Sequence, residues 1–194
     1  MKRDPREGQT PIDDISGLLL PITTREELDR AEFENNLECS KKYFLKKLRP
    51  NDAPFNYEWL FQVHREMFGN VWEWAGGPRK TEKPIGVAPV KIGSETHAFI
   101  SEFHRWHHEK LPPFDISAKI HHRLVAIHPF ENGNGRWSRM ITNIYLRQKG
   151  LAIIEWPNDV RQFRGDYIRA LKEADLGDLK PLTELQRQYY RNGI

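Results

Sequence analysis

Apolar residues along this chain recur mostly three and four positions apart, the period of helices that bury one stripe. Thr23 or Thr24, followed three residues later by Glu26 or Glu27, has the spacing of a capping box. A helix therefore starts there and carries Leu28, Ala31, Leu37 and Phe44 on roughly one face until Pro50 stops it, with a bend near Cys39. Leu60, His64 and Met67, with Phe61 and Phe68, predict a second helix over Tyr57 to Phe68. Helical patterning returns at Ser94 to Lys110, Ile116 to Ile127, Asn134 to Lys149 with Gly150 as a stop, Asp159 to Ala174, and Pro181 to Arg191. Only Pro78 to Ile92 breaks this rhythm. There Pro, Gly and β-branched residues replace helix formers, which predicts a β-hairpin with Lys83 to Val87 near its tip. The fold class is all-α with one hairpin.

No internal repeat or low-complexity segment divides the chain. Residues 1–22, rich in Pro, Gly and Asp, read as an irregular arm; residues 23–49 form the first helical region, and residues 50–194 the main body. At 194 residues with 38% apolar content, the chain can bury one core of its own. Its 30 Lys and Arg against 27 Asp and Glu are interspersed, so nothing in the charge calls for direct nucleic-acid binding. No apolar run reaches the roughly 18 to 20 residues of a membrane span, and the charged start is unlike a signal peptide, which gives the expectation of a cytoplasmic protein without a membrane partner. A single cysteine, Cys39, excludes an internal disulfide and Cys-rich zinc sites. His104, His107 and His108, with His121 and His122 further on, lack a carboxylate partner to complete a tetrahedral site and read as helix histidines.

The chemistry concentrates in His128-Pro-Phe130-Glu131-Asn132-Gly133-Asn134-Gly135-Arg136-Trp-Ser-Arg139, between two helical patterns. Two glycines spaced by Asn134 permit a tight turn with outward N–H groups, and the helix that follows offers its positive end to an anion. Arg136 and Arg139 stand three residues apart on that helix and can direct planar donors at one polyphosphate. His128, just before the cradle, has a side chain able to accept a proton near neutral pH. Read without any family in mind, Gly-Asn-Gly is also a common turn, and two helix arginines are also a solvated face.

The same segment resembles the signature of the Fic family at every specified position but one. The resemblance extends to His64-Arg-Glu-Met-Phe-Gly-Asn-Val-Trp-Glu-Trp-Ala-Gly77 and to Tyr167 through Leu182, so it covers roughly residues 50 to 190. The opening, Asp4 to Gly17, resembles the subgroup called mobile mystery protein B. What the family implies is a helical domain with a hairpin flap at about residues 79–92 beside the active loop, and transfer of AMP from ATP to a Ser, Thr or Tyr hydroxyl of a target protein. In that scheme His128 is the general base; Gly133, Asn134 and Gly135 hold the α-phosphate, Arg136 and Arg139 neutralise the outer phosphates, and Phe130 anchors the loop. The target protein docks on the flap. The subgroup implies a helix-turn-helix protein as a further partner.

Asn132 is the departure, standing where the family has a carboxylate that holds Mg²⁺ on the phosphates. It predicts weakened metal use, and keeps open a different phosphate-bearing donor, removal of AMP, or a catalytically silent binding module. Many Fic proteins also carry an inhibitory helix whose glutamate meets the second arginine. Arg30-Ala-Glu-Phe-Glu34-Asn35 aligns with its Glu-Asn end, which makes residues 23–49 the candidate inhibitory region and Glu34 the expected partner of Arg139.

Overall fold

A computed structural model describes residues 15–157 and 161–190. It contains seven α-helices, α1 Arg25–Phe44, α2 Tyr57–Phe68, α3 Ile92–His108, α4 Pro113–Ile127, α5 Asn134–Gln148, α6 Arg161–Asp175 and α7 Lys180–Gln188. The capping box that opens α1 forms between Thr24 and Glu27, and the Thr24 hydroxyl accepts the Glu27 N–H at 3.2 Å. This helix ends at Phe44, well short of Pro50, which instead opens a short 3-10 turn. Its buried face also differs from the apolar reading: Leu28, Glu32, Asn35, Cys39 and Tyr43 point inward, and Leu37 is exposed. Burial of Asn35 is compensated by two bonds, one donated to the Glu66 carbonyl at 2.8 Å and one accepted from the Asn70 N–H at 3.0 Å.

Helices α4 and α5 form the central pair. α3, α6 and α7 pack on α4, while α1 and α2 pack on α5. The main core gathers aromatic side chains from α2, α3 and α5 around Phe55, which stacks on Phe103 at 4.4 Å between ring centres. A smaller cluster joins Ala118 of α4 to Phe163, Ala170 and Ala174 of α6 and to Leu182 and Leu185 of α7. Gly150, at φ +76, closes α5 as predicted, and Leu151 donates back to the Leu146 carbonyl at 2.9 Å. Cys39 is buried and free, with its thiol pushed up to about 12 chiefly by burial.

The hairpin does not form; among the described residues there is no strand between α2 and α3, only an irregular arc over residues 78–88 and a 3-10 turn at Pro89–Lys91. Pro78, Pro84 and Pro89 remove N–H donors from any ladder. In place of a partner strand, the buried Arg79 side chain donates to the carbonyls of Thr81 and Val87, drawing the two limbs of the arc together. Most of the proposed N-terminal arm lies outside the described residues. The part that is described pairs with the loop after α2 through a Leu18–Trp72 bridge.

Candidate active site

The signature segment is the connection between the central helices. His128 caps α4 in the left-handed conformation, φ 51 and ψ 59, which is strained for a residue with a β-carbon. Three contacts hold it there. Its N–H donates to the Leu124 carbonyl at 3.2 Å, its own carbonyl accepts Nε–H of Arg79 at 2.7 Å, and the Arg79 N–H donates to the Pro129 carbonyl at 2.8 Å. Gly86 closes over the ring. A β-carbon on Gly86 would lie 2.6 Å from that of His128, so only glycine lets the arc approach so closely.

Past His128 the loop is pinned from inside. Phe130 is fully buried and stacks on His64 at 3.6 Å between ring centres. His64 is fully buried as well: its Nδ1 accepts the Gly76 N–H at 3.0 Å, which leaves Nε2 to donate to the Asn132 carbonyl at 3.0 Å. Gly133 turns the chain at φ +77, where a β-carbon would sit 2.7 Å from the Phe68 ring. Directly after it α5 begins, and the first N–H groups of a helix have no intrahelical acceptor, so the backbone at Asn134, Gly135 and Arg136 forms the anion-directed end.

The Asn134 side chain has a different task from the phosphate contact expected of it. It is 2% exposed, donates to the Phe130 carbonyl at 2.8 Å and accepts the Phe130 N–H at 2.9 Å. Both ends of the amide are spent on the loop, so only its backbone N–H remains for an anion. Asn134→Ala leaves two buried backbone groups unpaired and should lower stability by about 2–3 kcal/mol. Urea unfolding checks this, and a loss below about 0.5 kcal/mol would contradict the staple.

The two arginines diverge. Arg136 forms an ion pair with Glu32 of α1 and lies 4.6 Å above the Phe68 ring centre. Glu32 is 7% exposed and also accepts the Trp72 indole N–H at 2.7 Å. Arg139 sits among aromatic rings, 5.1 Å from Tyr167 and 5.6 Å from Trp156. A cavity of about 370 Å³ opens between α1 and α5, lined in part by Asp29, Glu32, Asn36, Arg136, Arg139 and Trp156. The expected Glu34–Arg139 contact is absent. Glu34 is exposed on the outer side of α1, because two residues along a helix turn the side chain by about 200°. Glu32 takes the inward position instead.

His128 is held low, at about 4, first by burial and then by the positive charges of Arg79 and Lys83; the Val125 carbonyl partly offsets these. Its Nδ1 is buried, which leaves the Nε2 edge to meet a substrate. Glu131 accepts from the Lys80 N–H, the Thr81 hydroxyl and Lys83 Nζ, the last at 2.8 Å, so its carboxylate latches the arc and stays below the usual range despite partial burial.

These commitments bear on Mg²⁺. Asn132 Oδ1 accepts the Gly133 N–H at 2.7 Å and carries no charge, Glu131 is engaged by Lys83, and Glu32 by Arg136. A hard cation on phosphates leans on at least one carboxylate, and these residues do not offer one. Among the described residues no three His, Cys, Asp or Glu side chains gather as a metal site.

Sequence reasoning missed Glu32, Arg79 and the loop-binding role of His64. His64 carried a signal, being a histidine on the buried stripe of α2. Arg79 carried none, since its partners are backbone carbonyls.

Residues 54–146 match the Fic/DOC family. The match runs from just before α2 to near the end of α5 and includes the whole His128–Arg139 segment. Proteins named protein adenylyltransferase Fic from Drosophila persimilis and Drosophila melanogaster are 32% identical over 129 residues, 64% of this chain. The chain spans about a quarter of their length, 25% and 26% respectively. Among solved structures, Fic-1 from C. elegans superposes with a TM-score of 0.70 at 24% identity, over 90% of this chain and 52% of that one. The BepC protein of Bartonella tribocorum with bound AMPPNP gives 0.69 at 18% identity, over 89% and 90%. The N-terminal Fic domain of a Bartonella quintana protein with bound ADP gives 0.68 at 17%, over 89% and 88%. These likenesses establish the Fic fold. No described helix is long and apolar enough to cross a membrane.

Proposed function

We propose that this chain transfers AMP from ATP to a hydroxyl of a protein. The observation that carries the reading is the placement of His128, a neutral imidazole beside the N-terminus of α5, with Arg136 and Arg139 on the first turns of that helix. His128 Nε2 takes the proton of a Ser, Thr or Tyr hydroxyl, whose oxygen attacks the α-phosphorus in line while pyrophosphate leaves. The backbone N–H groups at Gly135 and its neighbours and the arginines neutralise charge that develops on the phosphates. The relatives named protein adenylyltransferase Fic support this activity.

Three finer readings accompany it. The target docks on the arc of residues 79–88, where Ile85 is exposed beside the catalytic loop. A helix-turn-helix protein is the partner that the likeness to mobile mystery protein B suggests. Glu32, in place of Glu34, keeps the chain in a low-activity state by occupying Arg136. Asn132 favours a second donor reading, in which a different phosphate-bearing group is moved.

Intact-mass analysis of the chain with ATP, and then with other nucleotide donors, tests the transfer, donor and inhibitory readings together. One or more AMP additions are expected, with Glu32→Gly raising their rate about tenfold and Glu34→Gly leaving it unchanged. Addition of another mass would select the second donor reading. An unchanged rate in a folded Glu32→Gly variant would remove the inhibitory one.

A further inference from the structure

The arc of residues 79–88 carries a cation to Glu131, the neighbour in the chain of Asn132, where the signature lacks a metal-holding carboxylate. Both limbs of the arc are tied to the His128 segment: Arg79 bonds the carbonyl of His128 and the N–H of Arg79 meets the carbonyl of Pro129, while the Val87 N–H donates to the Ile127 carbonyl at 3.3 Å. Lys83 stands at the crest between them. Its Nζ is anchored on Glu131 at 2.8 Å, both side chains are partly buried, and its charge acts on the His128 ring. An ammonium has three donors, and the bond to Glu131 uses one. Two remain, on a cation fixed to the loop that leads from His128 into α5.

Building on the reading that a nucleotide binds here, we propose that Lys83 supplies the positive charge on the donor phosphates that Asn132 and its neighbours cannot recruit as a divalent cation. Glu131 serves as the positioning residue for Lys83, aiming the ammonium at the phosphates and holding the arc closed at the same time. Charge neutralisation then travels with the protein, and binding of the nucleotide does not wait on a metal.

The test is equilibrium binding of ATP to the whole chain, by calorimetry, in Mg²⁺ and in EDTA. Wild type should bind with dissociation constants within about threefold of each other in the two conditions. Lys83→Met should weaken binding about tenfold in both, at an unchanged melting temperature, and Lys83→Arg should restore most of it, since the guanidinium keeps the charge. Wild-type binding that requires Mg²⁺ would overturn the proposal alone, as would a folded Lys83→Met chain with unaltered affinity, in which case Lys83 only latches the arc. Absence of ATP binding by wild type in both conditions would overturn the nucleotide reading and this proposal with it.

Discussion

His128→Ala should lower the rate of AMP addition by about 10²- to 10⁴-fold, the range set by removing a general base. The fold should survive, because the left-handed turn at position 128 is held by Arg79 and the arc rather than by the imidazole. Its pH profile gives a sharper test. A base works deprotonated, and burial beside Arg79 and Lys83 holds His128 at about 4, far below the ordinary value near 6.5. The sign follows: activity per enzyme–substrate encounter stays level from pH 8 down to about pH 5.5 and falls only as the pH approaches 4. An unperturbed histidine would already lose half its activity near pH 6.5. Single-turnover rates read by intact mass across this window decide the matter, and an inflection near 6.5 would show that the base is another group or that the arc lifts away before reaction.

How much of this was legible in the sequence depends on whether the determining contacts are local. Helix α2 was read to the residue because its boundaries are written nearby: Asn56 accepts the Trp59 N–H at its start, and Gly69 follows its end. The capping box at Thr24 and the start of α5 at Asn134 were legible for the same reason. The arc of residues 78–88 was misread, since proline, glycine and β-branched residues do mark departure from helix. What they cannot show is that one buried guanidinium, Arg79, would satisfy the carbonyls that a second strand would otherwise bond. The inward face of α1 escaped likewise. A count of apolar residues favours Leu37, yet Glu32 and Asn35 are the ones buried, because Arg136, Trp72 and the end of α2 supply their partners from far along the chain. Choosing Glu34 follows instead from the alignment of Glu34-Asn35 with the family's inhibitory motif, and a motif match does not report that the side chain lies on the exposed face of α1.

The histidines that hold the site together should also make the fold sensitive to mild acid. His64 and His121 are fully buried and pushed down to about 3, each first by burial, with the charge of Arg136 and of Arg139 respectively acting in the same direction. His64 bonds the Asn132 carbonyl, and His121 Nε2 meets the Tyr167 hydroxyl at 2.8 Å, linking α4 to α6. In the unfolded chain both titrate near 6.5. As the pH falls below that value the unfolded state takes up two protons that the native state refuses, so stability drops by about 1.4 kcal/mol per pH unit for each histidine. By pH 5 the pair should cost roughly 4 kcal/mol, a large part of an ordinary domain's stability. Carboxylates held low in the native state, Glu27, Asp52 and Glu131, add their own loss only further down, as the pH passes below about 4.5, so the interval from pH 7 to 5 isolates the histidines. Urea unfolding at pH 7, 6 and 5 should show the fall, to which His128, also held low in the native state, adds in the same direction. A His64→Gln, His121→Gln chain should be less stable at pH 7, since each glutamine fits its bonds imperfectly, yet lose far less between pH 7 and 5. Equal slopes in the two chains would show that these rings accept protons in the folded state, and that the catalytic loop opens to water as part of its ordinary motion.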